Sequence, residues 1–151
     1  VLALKTRDEI PARLARLLAS AQRRAPLDNA SLIVPVPLHT SRQRERGFNQ
    51  AAVVGQALAR LNGLPLDTSS LARAVHTERH RARMDAHSRR ESVENAFEVR
   101  RPRLIQGENV LLVDDVFTTG ATVSACARAL KEAGAIEVFV LTLARPSSKL
   151  S

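Results

Sequence analysis

The sequence predicts an α/β fold with a mainly parallel central sheet and flanking helices. Three segments carry that prediction. Val110-Leu111-Leu112-Val113 is an unbroken apolar run, which suits a strand buried on both faces. Gly120 to Ala133 follows with helical spacing, placing Val123, Cys126, Ala127 and Leu130 inward, and Gly134 closes it. Ile136 to Leu143 then reads as a second strand. Strand, helix, strand at this spacing is a βαβ unit, and its two strands run parallel.

The remaining elements are predicted in order. A helix is expected from Asp8, with Pro11 in the first turn, where a missing N–H costs nothing. Ile10, Leu14, Leu17, Leu18 and Ala21 follow its apolar stripe, and Arg13, Arg16, Arg23 and Arg24 its solvated side. Pro26 and Asp28-Asn29 mark a turn. Leu32 to Leu38 is then a short buried strand that must end at Pro35 and Pro37, because proline cannot sit inside a central ladder. A polar, basic stretch runs from His39 to Gly47. Asn49 opens a second helix with Ala51, Val54, Leu58 and Leu61 on one face, and Asn62-Gly63 stops it. Residues 71–103 are poor in apolar side chains and hold nine Arg against five acidic residues. Ser88 to Glu91 has the form of a capping box, and Phe97-Glu98-Val99 is a brief strand before a turn at Arg100 to Arg103.

Length and composition bound the function. A chain of 151 residues fits one domain, 1–151, and 44% apolar residues suffice for a core. The formal charge of +8 suits polyanionic partners, either nucleic acid or phosphorylated small molecules. With 20 Arg against 3 Lys, that charge is partly a compositional habit. One cysteine, Cys126, excludes a disulfide framework and a structural cluster of cysteines, and fits a reducing cytoplasm. No stretch has the roughly 20 apolar residues of a membrane span. The start does not read as a signal peptide, and a first residue of Val predicts a fragment or a trimmed chain. The absence of Trp and Tyr argues against base-stacking single-strand binders.

The chemistry is concentrated in Val110-Leu111-Leu112-Val113-Asp114-Asp115-Val116-Phe117-Thr118-Thr119-Gly120-Ala121-Thr122. Ligands of open parallel sheets sit beyond the carboxyl ends of strands, where this segment places two adjacent carboxylates. Small and hydroxylated residues then lead into a helix N-terminus, whose N–H groups and dipole favour an anion. Gly120 lets the backbone approach closely, and Thr118, Thr119 and Thr122 add hydroxyls. A phosphate in the turn, with vicinal hydroxyls on the carboxylates, describes a ribose 5-phosphate. No Walker loop and no G-x-G-x-x-G is present. The plainer alternative is a solvated turn that merely carries Asp and Thr.

This segment resembles the phosphoribosyl-pyrophosphate signature of type I phosphoribosyltransferases: an apolar run, two acidic residues, then Thr-Thr-Gly-x-Thr. Val34-Pro35-Val36-Pro37-Leu38-His39, Arg46-Gly47-Phe48-Asn49-Gln50-Ala51 and Leu141-Thr142-Leu143-Ala144-Arg145 are similar to the ComF family. Members of that family are phosphoribosyltransferase-like proteins associated with DNA uptake by competent bacteria. The resemblance runs from about residue 4 to residue 146, and it implies the type I phosphoribosyltransferase fold.

The resemblance also implies roles. Asp114 and Asp115 would hold the ribose 2- and 3-hydroxyls, and Thr118, Thr119, Gly120, Ala121 and Thr122 the 5-phosphate, with Phe117 also among the residues that bind phosphoribosyl pyrophosphate. Pro37, Leu38 and His39, in the turn that begins at Pro35, would bind pyrophosphate. Arg46 joins Asp114 and Asp115 as an expected catalytic residue. The implied reaction displaces pyrophosphate from ribose C1, with Mg²⁺ bound mainly through phosphoribosyl pyrophosphate and no protein metal cage. The acceptor is not named by any part of the chain. The alternative is a non-catalytic DNA-handling competence factor that uses the same fold and a basic surface, with single-stranded DNA or competence machinery as partner.

The chain departs from the family in two places. Members usually begin with a four-cysteine zinc finger, which this reading takes as lost or trimmed here. Their Thr-x-x-Gln and Arg-x-x-Asn stand here as Thr77-Glu78-Arg79-His80 and Arg89-Arg90-Glu91-Ser92. The resemblance also implies that part of the basic segment from His76 to Arg90 is a loop that orders over the pyrophosphate; the alternative is an exposed helix with a solvated cationic face.

Overall fold

A computed structural model describes residues 9–38, 45, 47–74, 96–116 and 120–144. The central strand, β4 (Asn109–Val116), pairs in parallel with β1 (Leu32–Pro35) on one side and β5 (Glu137–Ala144) on the other. The order β1-β4-β5 makes the three-stranded parallel sheet that the βαβ reading requires. The connecting helix is Ala121–Glu132.

The pleat sorts the sheet's side chains into two cores. Ile33, Leu111 and Val113 face α1 (Ala12–Gln22) and α2 (Gln50–Asn62), packing with Leu18, Ala19, Val54 and Leu58. Leu32, Val34, Val110 and Leu112 face the other way, toward Val123, Cys126 and Leu130 of the connecting helix and Leu71 and Phe97. Leu71 and Phe97 belong to a second, two-stranded antiparallel sheet formed by β2 (Leu71–Arg73) and β3 (Phe97–Val99). A short helix, α3 (Pro102–Ile105), precedes β4, so the connecting helix is α4. None of the helices among the described residues is long and apolar enough to cross a membrane.

Strand β1 ends at Pro35, as expected, although that proline does not break its ladder with β4. The N–H of Ile33 bonds outward to the Pro65 carbonyl at 2.9 Å, so the Pro35 nitrogen, two residues on, also faces the outer edge. Its missing proton therefore costs no bond to β4, and the Val36 N–H resumes that ladder at the Val113 carbonyl, 2.8 Å away. Helix α2 lies close against this strand because residue 55 is glycine. A Cβ there would stand 3.0 Å from Leu66 Cδ1 and 3.4 Å from Ile33 Cγ2.

Several expectations are corrected. Helix α1 buries Ala15, Leu18, Ala19 and Gln22, and Leu17 is 60% exposed. The buried stripe includes a glutamine because its amide donates to the Leu27 carbonyl at 3.0 Å and its oxygen accepts from Asn62. Apolarity alone put Leu17 there instead. Leu61, on the last turn of α2, is also exposed. The Arg100–Arg103 turn is in fact the approach to α3, with Pro102 at its first helical position and Ile105 fully buried. Strand β2 was not anticipated at all. In α4 the fully inward residues are Val123, Ala125, Cys126 and Leu130, with Ala127 half-buried. The capping-box segment from Ser88 to Glu91 and the segment from His76 to Arg90 lie outside the described residues.

Candidate functional site

Asp114 and Asp115 were expected just past the end of β4. The strand instead runs on through Val116, and Asp114 stands in the ladder opposite Thr142 of β5. The extension follows from β5, which supplies pairing partners as far as Ala144. The consequence is burial: Asp114 is 9% exposed. One carboxylate oxygen accepts the Asp115 N–H at 2.8 Å.

Burial outweighs that hydrogen bond and pushes the Asp114 carboxyl up to about 6. The neighbouring Asp115 carboxyl adds to the rise, while the Arg73 guanidinium opposes it. On α4, burial pushes the Cys126 thiol up to about 12, with the Asp114 charge adding to it. Cys126 is a fully buried core residue, as expected.

Past β4 the chain enters α4 through Gly120, which sits at φ +79 and is the helix N-cap. That left-handed conformation suits glycine, and a glycine cap brings no side chain to the helix start. No acidic residue stands in the first turn of α4, so nothing on the helix itself neutralises the positive end of its dipole. Ala121 is exposed there and Thr122 half-buried. Strand β4 and helix α4 thus bring Asp114, Asp115, Gly120, Ala121 and Thr122 to one end of the sheet. Phe117, Thr118 and Thr119 lie outside the described residues.

At the same end of the sheet, β1 runs out into Val36, Pro37 and Leu38. Pro37 and Leu38 line a cleft of about 510 Å³ together with Phe48, Asn49, Val53 and Gln56 of the α2 region. Asn49 serves both neighbours. Its side-chain oxygen caps α2 by accepting the Ala51 N–H at 3.1 Å, and its amide donates to the Val36 carbonyl at 3.0 Å. The acidic pair does not line this cleft. His39 and Arg46, also expected here, lie outside the described residues.

Sequence reasoning missed Arg73. From β2 its Nε donates to the Pro37 carbonyl at 3.3 Å, and its guanidinium carbon lies 4.9 Å from the centroid of the Phe97 ring. It acts electrostatically on Asp114 and Cys126. As one of nine arginines between residues 71 and 103, it carried no signal of its own. The only clue was Leu71, the buried residue that anchors its strand.

Comparison with known proteins agrees with this fold. The Phosphoribosyl transferase domain family matches residues 49–151. The chain is 39% identical over 145 residues to the DNA utilization protein YhgH of Salmonella typhimurium, covering 92% of this chain and 62% of that protein. It is 37% identical over 137 residues to Competence protein F of Haemophilus influenzae, covering 87% of this chain and 59% of that one. The chain therefore spans about three fifths of the length of these relatives. Among solved structures, the glutamine phosphoribosylpyrophosphate amidotransferase of B. subtilis complexed with ADP and GMP superposes with a TM-score of 0.63 at 21% identity. That match covers 95% of this chain and 27% of the amidotransferase, and it shows the fold.

Proposed function

Because the chain belongs to the phosphoribosyl transferase domain family, on its ComF-type branch, we propose that it binds phosphoribosyl pyrophosphate and transfers the phosphoribosyl group to an acceptor. One observation carries the reading. A single strand-helix unit at the carboxyl end of a parallel sheet presents two adjacent carboxylates and then a glycine-capped helix start.

On this reading the carboxylates of Asp114 and Asp115 accept hydrogen bonds from the ribose 2- and 3-hydroxyls. The start of α4 holds the 5-phosphate through backbone N–H groups, with the threonines of that turn adding hydroxyls. The Pro37–Leu38 turn, with His39, receives the pyrophosphate. The C1–O bond breaks and the leaving pyrophosphate keeps its electron pair. The acceptor's lone pair then closes on C1, and the acceptor loses a proton. Charge builds on the ribose ring and on the leaving group, so fixed groups aimed at both lower the barrier. Arg46 is assigned to the leaving-group side.

Mg²⁺ fits this site as a companion of the ligand. Among the described residues no three His, Cys, Asp or Glu side chains converge on one point. Mg²⁺ commonly keeps several waters and leans on substrate phosphates, where it would neutralise the pyrophosphate. The test is a screen of purines, pyrimidines and amines for pyrophosphate release, with phosphoribosyl pyrophosphate and Mg²⁺ supplied. Release that depends on one acceptor is expected. Saturable binding without release on any acceptor would leave a binder and remove the transferase.

A second reading has its own support. The relatives are named for DNA utilization and competence, and the chain carries a net charge of +8. A DNA-handling role would use that charge on the phosphate backbone.

A further inference from the structure

We propose that Arg73 is a positioning residue of this site, holding the turn that follows β1 against the acidic end of β4 so that the pyrophosphate and ribose ends of the ligand are received at one fixed separation. The inference rests on the phosphoribosyl pyrophosphate reading and adds to it a residue that neither motif nor composition singled out.

The argument begins with the turn. Pro35 and Pro37 bring no N–H groups to it, so it cannot be fixed by hydrogen-bond donors of its own at those positions. It is instead gripped through its carbonyls. Asn49 takes Val36 from the α2 side, and Arg73 takes Pro37 from the opposite side of the sheet. The Pro37 contact joins residues 36 apart in sequence and ties β1 to the small antiparallel sheet.

That small sheet is a firm base. An isolated two-stranded ribbon is marginal in water, but Leu71 and Phe97 are buried in the core shared with β4 and α4. Phe97 stands opposite Arg73 in the strand register, and its ring lies under the guanidinium at 4.9 Å. Stacking fixes the plane of the guanidinium, and the plane sets the direction of Nε toward Pro37. Lysine has neither a flat face to stack nor a fork of donors, so it keeps the charge and loses the geometry.

The same guanidinium acts electrostatically on Asp114. Among the described residues, the groups around the Asp114 carboxyl are Asp115 on β4, Arg73 from β2, the buried Cys126 thiol from α4, and the uncharged Thr142 in register on β5. Arg73 is the cation in that set, and it favours ionised Asp114. One side chain thus touches the turn and acts on the carboxylate.

The experiment compares Arg73→Lys and Arg73→Gln with the unaltered chain by two readouts. Calorimetry with Mg²⁺ measures affinity for ribose 5-phosphate and for phosphoribosyl pyrophosphate. Carboxyl-carbon NMR follows the titration of Asp114 without ligand. Both variants should hold ribose 5-phosphate within about 2-fold of the unaltered chain and lose tenfold or more for phosphoribosyl pyrophosphate, a differential of about 1.4 kcal/mol or more. Arg73→Gln should move the Asp114 midpoint upward, and Arg73→Lys should move it less. If Arg73→Gln does not fold, Arg73→Lys alone carries the affinity test.

Equal losses for the two ligands, or no loss for either, would overturn the positioning role. An Asp114 midpoint unmoved in Arg73→Gln would overturn it too, whether or not the protein takes the ligand. A midpoint that moves, in a protein that binds neither phosphate compound, would keep Arg73 against β4 and sink the phosphoribosyl pyrophosphate reading alone.

Discussion

Asp114 is held in a ladder position where its charge is costly. Its carboxyl is raised from 3.8 to about 6, chiefly by burial. Between those two values the unfolded chain has released a proton that the native chain still holds, so stability falls as pH rises through this window. The loss above it is of the order of 3 kcal/mol at most, from the size of the shift. Asp114→Asn keeps an oxygen for the Asp115 N–H and removes the charge. We therefore expect the variant to melt a few degrees higher than the unaltered chain at pH 7–8 and to match it near pH 3.5. Melting curves from pH 3.5 to pH 8 check this, and parallel curves for the two proteins would contradict it. Keeping a destabilising carboxylate is what a binding group would do. The pair itself was legible, because two acids directly after an apolar run are conspicuous. Its burial was not, because that depends on how far β5 extends beside it. Arg73 was illegible for a different reason: its partners, Pro37 and Phe97, are brought to it only by tertiary packing.

At the scale of elements, the helix termini do the positioning. Asn49 caps α2 and grips Val36, so Asn49→Ala should cost about 1–2 kcal/mol. Urea unfolding should show a lower midpoint at unchanged slope, and an unshifted midpoint would remove Asn49 from this account. Two glycines at positive φ allow a paired test. Gly120 starts α4 at +79, and Gly63 ends α2 at +70. Alanine at either should destabilise by roughly 1–2 kcal/mol, because a Cβ disfavours the left-handed region. Only Gly120→Ala should also weaken ribose 5-phosphate binding in calorimetry. Equal effects on affinity would mean that the α4 start holds no phosphate. The βαβ unit and the cap of α2 were readable because period, cap and stop residues agree there. The face of α1 was misread at Leu17 because its stripe is completed by Gln22, a polar residue satisfied within the fold. Strand β2 escaped because three residues are too few to show a period.

For the whole molecule, the excess of basic residues makes weak DNA binding a plain expectation. Binding should be indifferent to sequence and fall steeply with salt, since each phosphate contact releases a counterion. Fluorescence anisotropy with single-stranded and duplex oligonucleotides measures this. Sub-micromolar affinity that survives about 200 mM salt would exceed the backbone contribution and favour the DNA-handling role. The central claim concerns the small ligand, and a thermal shift tests it most directly. On the proposed function, phosphoribosyl pyrophosphate with Mg²⁺ should raise the melting temperature by preferential binding to the native state, by an amount that grows with ligand concentration. Asp114→Asn combined with Asp115→Asn should fold and melt cooperatively without ligand, and should lose that rise. A rise of equal size in the folded double variant would contradict the site assigned to these two carboxylates.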